Sequence, residues 1–256
     1  MRPALLLRAA FVSAFIAGAA SPTFAQVPAP APSSLTAAQR SDIEGVVRNY
    51  LLTHPEIIKE ALIELQRKEK ADEVAARAKI VADPAGKLFE SPNHSVVGNP
   101  NGKITVVEFF DYNCGFCKRA LDDLARLMKA EPNLKVVLKD FPVLGPKSVE
   151  AAQVSAAARK QIKGDKFFEF HQKLLNQKGQ IGRAEGLAVA KSMGLDMTRL
   201  AADMEDPSVR EGIAESLSLG DSLGLTGTPS YVVGKEVVVG AVGYDELKQH
   251  LDAARK

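Results

Sequence analysis

Tryptophan is absent from this 256-residue chain, and cysteine occurs only twice. Two cysteines cannot form the disulfide framework that staples small loop-rich folds. Neither sign of charge dominates: formal net charge is +2, which argues against binding nucleic acid or another polyanion. The four histidines, His54, His94, His171 and His250, are scattered. No histidine pair and no second C-x-x-C accompanies the cysteines, so the four-ligand pattern of a zinc site is missing. Beyond the first residues, no segment approaches the ~18 consecutive apolar residues that a membrane span needs.

What is there is ordinary for a globular protein: 46% apolar and 25% charged residues, and length for one core plus a smaller appendage. The chain starts with Arg2 and Arg8, an apolar run from Ala9 to Ala20, and Thr23-Phe24-Ala25. This is the layout of a secretory signal peptide over residues 1–25, cleaved after Ala25, and the run is too short for an anchor. Its removal takes away Arg2 and Arg8 and no acid, so basic and acidic side chains balance at 31 each. Residues 26–34 are a Pro-rich extended linker.

Residues 35–86 read as a helical segment. Thr36 and Gln39 fit a capping box, and Ile43, Val46, Val47, Tyr50 and Leu51 follow at helical spacing. Pro55 opens a second helix with the stripe Ile57, Ile58, Ala61, Leu62 and Leu65. From Gln66 to Glu73 the chain is charged and reads as a solvated spacer, and Asp83-Pro84-Ala85-Gly86 is a stop. Two apolar stripes on so short a segment need a partner, so the segment is expected to make the protein a homo-oligomer, a trimer rather than a dimer. Packing on the rest of the chain is the alternative.

Residues 87–256 carry the chemistry. Ile104 to Phe110 is a buried strand, the cysteines follow, then a helix, then a strand from Leu134 to Leu138. This predicts a right-handed βαβ unit with a parallel pair. Residues 145–223 read as all-helical, with starts at Asp196 and Asp206-Pro207. Ser230–Val233 and Glu236–Val239 form a hairpin, and a helix closes the chain from Tyr244.

Cys114-Gly115-Phe116-Cys117 sits at the strand-to-helix turn. Free N–H groups and the helix dipole stabilise a thiolate there. Cys114 is expected to be the exposed nucleophile and Cys117, one turn on, the resolving thiol. Lys118 and Arg119 are expected to face solvent. Glu108, inside the strand, is expected to be buried, with a raised pKa, and to carry the proton of Cys117. The alternative pairs Glu108 with Lys139. His171, among aromatics on a helix, reads as a core residue without a catalytic role. Thr228-Pro229 at a strand start could present the Thr228 backbone to an extended substrate.

The run Val107 to Cys117, the helical block and Gly227-Thr228-Pro229-Ser230 together resemble the DsbA family of thiol–disulfide oxidoreductases. The resemblance implies an α/β thioredoxin-like fold with an inserted all-helical domain, behind an N-terminal helical extension. It also implies a cis peptide at Pro229, Glu108 as the buried acid, and substrate contacts at Gly115, Phe116, Thr228 and Pro229. Gly115-Phe116 departs from the Pro-His of the best-known DsbA oxidases and is closer to the Gly-Tyr of disulfide isomerases. His54 to Leu62 resembles the oligomerising segment of ScsC-type (suppressor of copper sensitivity protein C) members. The expectation is a periplasmic disulfide isomerase or reductase acting on misfolded exported proteins with cysteines. It needs no cofactor beyond its own dithiol, and a DsbD/ScsB-like membrane reductase would recycle it. The alternatives are a DsbA-type oxidase served by a DsbB-like partner, and a periplasmic protein holding copper(I) on the two thiolates.

Overall fold

The computed structural model describes residues 35–83 and 85–255, so the expected signal peptide and linker lie outside the described residues. The chain divides into two compact units, one ending at Lys59 and one beginning at Glu60. No helix among the described residues is long and apolar enough to cross a membrane.

In the first unit, α1 (Ala37–Thr53) starts at the predicted capping box: the Thr36 hydroxyl accepts from Gln39 N–H and the Gln39 side chain accepts from Thr36 N–H. None of its residues is buried. Val46 is 69% exposed and Tyr50 53%, so the stripe is formed but uncovered. The helix α2 (Glu56–Ala82) stops where Asp83 was expected to stop it, and it buries only Val81.

The second unit is built on a five-stranded sheet of order β1-β3-β2-β4-β5. Its strands are β1 (Ser95–Gly98), β2 (Ile104–Phe110), β3 (Leu134–Asp140), β4 (Ser230–Val233) and β5 (Glu236–Val239). As predicted, β2 and β3 are parallel and β4 and β5 form a hairpin. The edge strand β1 was not anticipated. Its short run gives no clear period, and antiparallel pairing with β3, Val96 opposite Val137, is what makes it a strand.

Between β2 and β3 runs α3 (Gly115–Ala130), which buries Cys117, Ala120, Leu121, Leu124 and Leu127 at helical spacing. Five helices separate β3 from β4: α4 (Pro146–Ala158), α5 (Gly164–Leu175), α6 (Arg183–Ser192), α7 (Met197–Glu205) and α8 (Pro207–Ser222). Asp196 and Asp206 cap α7 and α8 as expected, each accepting a backbone N–H. Small side chains bring this block together. A Cβ on Gly186 would lie 2.9 Å from Val154, and one on Gly220 would overlap the Phe141 ring. The closing helix α9 (Tyr244–Ala253) lies beside α3, where the Arg126 guanidinium stacks 3.9 Å from the Tyr244 ring centre.

Alternation along β2 splits the core. Val106 and Phe110 join Cys114, Cys117, Tyr231 and the α3 face on one side of the sheet. Val107 and Phe109 join Val81, Leu88, Val137 and Phe141 on the other. Glu108 therefore belongs to the dithiol side.

Candidate active site

Cys114 ends the turn after β2 and is itself the N-cap of α3; its sulfur accepts from Cys117 N–H at 3.4 Å. Using a thiol as a cap places it against the free N–H groups that begin the helix. Its pKa is drawn down to about 5, first by the hydrogen bond from the Cys117 side chain. Burial opposes this, while the Thr228 side chain and the N–H groups of Cys117 and Phe116 add to it. The expected open exposure is corrected: Cys114 is only 5% exposed, because the Thr228-Pro229 loop lies across it. The Cys114 thiol donates to the Thr228 carbonyl at 3.1 Å. The Thr228-Pro229 peptide is cis.

Cys117 is fully buried, and burial pushes its thiol far up, helped by the Cys114 sulfur and by Glu108. The pair is thus strongly asymmetric, with one thiol ready to ionise and the other held protonated. Glu108 is buried, and burial lifts its carboxyl to about 8. The Tyr231 hydroxyl beside it opposes that rise and Cys114 adds to it. Glu108 Oε2 has no hydrogen-bond partner among the described residues. A carboxyl near neutrality with a free lone pair, acting on Cys117, can accept a proton there.

The alternative pairing of Glu108 with Lys139 does not occur. The register sets Lys139 opposite Phe109, so its side chain leaves the other face of the sheet. There Lys139 Nζ donates to the Lys87 carbonyl at 2.5 Å and sits 3.7 Å from Glu215.

Around the dithiol, Gly115 and Phe116 are exposed, Phe116 by 57%, with Arg119 stacked 4.2 Å from its ring centre. Lys118 departs from expectation: instead of facing solvent freely, it donates to the Gln177 carbonyl at 2.7 Å. Val143 and Leu144 add exposed apolar surface on the loop after β3.

Sequence reasoning missed Asp111, Asn113 and Tyr112. Asp111 accepts from Asn113 N–H at 2.8 Å and from Leu144 N–H at 2.9 Å. Asn113 bonds both backbone groups of Ile181 and donates to Ser148. These side chains tie the cysteine turn to the helical block. The Asp-x-Asn pattern before Cys114 is the turn signal that could have revealed them. Tyr112 Oη donates to Ser155 at 2.9 Å and lies 3.3 Å from His171 Nδ1. Burial alone pushes His171 down to about 3, so it stays neutral in the core, as expected.

Residues 105–252 match the DSBA-like thioredoxin domain family, and residues 39–72 match the copper resistance protein ScsC N-terminal domain. Among solved structures, a thioredoxin-like oxidoreductase from Silicibacter pomeroyi is 42% identical, with 68% of this chain and 98% of that one covered and a TM-score of 0.64. Proteus mirabilis ScsC in a transitional conformation is 31% identical over 86% of this chain and 97% of its own, with a TM-score of 0.61. Among curated proteins, a Na(+)/H(+) antiporter NhaA 1 from Salinispora arenicola is 29% identical over 54% of this chain. This chain spans only 21% of that antiporter's length.

Proposed function

Since the chain belongs to the DSBA-like thioredoxin domain family, we propose that it is an exported thiol–disulfide oxidoreductase working through Cys114 and Cys117 as a disulfide isomerase or reductase. The observation that carries this reading is the asymmetry of the two thiols around a buried acid. Cys114 thiolate attacks one sulfur of a substrate disulfide. A mixed disulfide forms, and the other substrate sulfur leaves as thiolate. In isomerisation a second substrate thiolate then attacks the mixed disulfide and frees Cys114. In reduction, Cys117 gives its proton to Glu108 and attacks Cys114 Sγ. That step releases the second substrate sulfur as thiolate and leaves a Cys114–Cys117 disulfide for a membrane reductase to reduce. No cofactor is required.

Phe116, Val143 and Leu144 offer apolar surface to an unfolded substrate, and the Thr228 carbonyl lies at the reacting sulfur. Export to the periplasm rests on the first 25 residues, and homo-oligomerisation, as a trimer, on the uncovered apolar stripes and the ScsC N-terminal match. In that reading the N-terminal helical segment assembles the protein and residues 87–256 act, with Val81 at the end of α2 packed into their core.

One observation favours a second reading, a DsbA-type oxidase. A thiolate stabilised to about 5 stabilises the reduced dithiol and makes the disulfide more oxidising. The redox state of the cysteines in periplasmic extracts, read by thiol alkylation, separates the two. Reduced cysteines support the isomerase or reductase; oxidised cysteines support the oxidase.

A further inference from the structure

Away from the dithiol, a groove of about 870 Å³ opens beside β1, bounded by the turn that leaves α4 and by the start of α5. Four cations line it, Arg159, Lys160, Lys163 and Arg199, against one acid, Glu90. Some of this charge is already matched. Lys160 sits 2.6 Å from Asp206, Arg199 lies 3.5 Å from Asp203, and Glu90 is taken by Lys135 at 2.7 Å. Arg159 and Lys163 make no ion pair among the described residues. Arg159 is nine-tenths buried, with Asp140 and Glu215 attracting it only from longer range. Its guanidinium packs against Gly212, where a Cβ would come within 3.0 Å of Nη2.

Two unpaired polar atoms mark the same place. Ser95 is 6% exposed, lines the groove, and its hydroxyl has no hydrogen-bond partner. The neighbouring His94 Nδ1 has none either. At the other wall no side chain caps α5, so its free N–H groups and positive dipole end add a third anion-attracting element. Val96, Ile162 and Phe167 supply apolar lining between these groups.

We propose that this groove binds a small organic carboxylate with an apolar body. The carboxylate lies between Arg159, Lys163 and the start of α5, and the body rests on Val96, Ile162 and Phe167. A planar guanidinium matches a carboxylate with two parallel hydrogen bonds. The volume falls in the range of about 300–1,000 Å³ typical of small-molecule sites.

The test is calorimetric titration of the full chain with octanoate, beside the uncharged octanamide. Octanoate saturates one site per chain, and octanamide binds at least tenfold more weakly. Lys163→Glu, at an exposed position that leaves the fold intact, weakens octanoate at least tenfold, about 1.4 kcal/mol. Arg159→Gln does the same where it folds; where it does not, Lys163→Glu decides. No saturable octanoate binding, equal affinity for octanamide, or unchanged affinity in Lys163→Glu would each overturn the proposal.

Discussion

The Cys114 sulfur lies 3.1 Å from the Thr228 carbonyl oxygen, a contact between residues 114 apart in sequence. It closes the sheet, the cysteine helix and the hairpin strand around one atom. The exposed Phe116 and this loop both border Cys114.

The two cysteines are expected to fail differently. Cys114→Ser abolishes reduction of insulin. Cys117→Ser keeps the attack and accumulates mixed disulfides, visible as slower-migrating adducts on non-reducing gels. A Cys117→Ser protein that cannot be alkylated or cross-linked at Cys114 would reverse the assignment of roles.

Ionisation of Cys114 gives a pH signature. In the reduced protein, the rate of iodoacetamide modification at Cys114 rises with a midpoint near pH 5 rather than near the ordinary thiol value of 9.0. The depressed pKa also favours the reduced fold. That contribution is present above pH 9 and is lost as pH falls through about 5. Denaturant titration of the reduced protein at pH 7 and pH 4 measures the loss.

Glu108 has the opposite sign. Its carboxyl titrates near 8 in the fold and near 4.5 when exposed. The folded state therefore holds a proton that the unfolded chain releases, and stability falls as pH rises through that window. Glu108→Gln removes this loss, so the variant gains stability over the parent between about pH 4.5 and 8. Its resolution step slows by on the order of a hundredfold, because Cys117 has lost its proton acceptor. An unchanged pH–rate profile would leave Glu108 a structural role only.

Asn113 is expected to matter without touching substrate. Asn113→Ala strips partners from the Ile181 backbone and Ser148, and costs about 1–3 kcal/mol. A melting temperature equal to the parent's would show that the cysteine turn holds without this tie.

The uncovered stripes predict assembly. Val47→Glu with Leu62→Glu should turn the oligomer into a monomer by light scattering, since burying such side chains contributes ~1.5–3 kcal/mol each. A truncated catalytic chain should begin before Arg77 rather than at Lys87, because Val81 belongs to the core behind the sheet and the Arg77 guanidinium packs against Gly224. That monomer should still reduce insulin and should lose most of its ability to refold scrambled ribonuclease.

Much of this was legible because local signals agreed with the fold. Thr36-x-x-Gln39, Asp196 and Asp206-Pro207 each mark a helix start through their own side chains. β2 reads as buried from an unbroken apolar run, with Glu108 conspicuous inside it. What could not be read depended on distant partners. β1 exists through β3, the Lys118 bond through Gln177, and the cover over Cys114 through a loop far along the chain. The side of the sheet taken by Lys139 depended on strand register, which neither strand states alone.

That register has a further effect. Glu108 and Lys139 are buried ionisable groups of opposite type on neighbouring strands, yet their side chains leave opposite faces of the sheet. The groups acting on Glu108 are Tyr231 and Cys114, whereas those acting on Lys139 are Glu215, Arg159 and Lys87. The two buried groups therefore take their shifts from different neighbours. A substitution at Glu215 or Lys87 is therefore expected to retune Lys139 with no direct effect on Glu108.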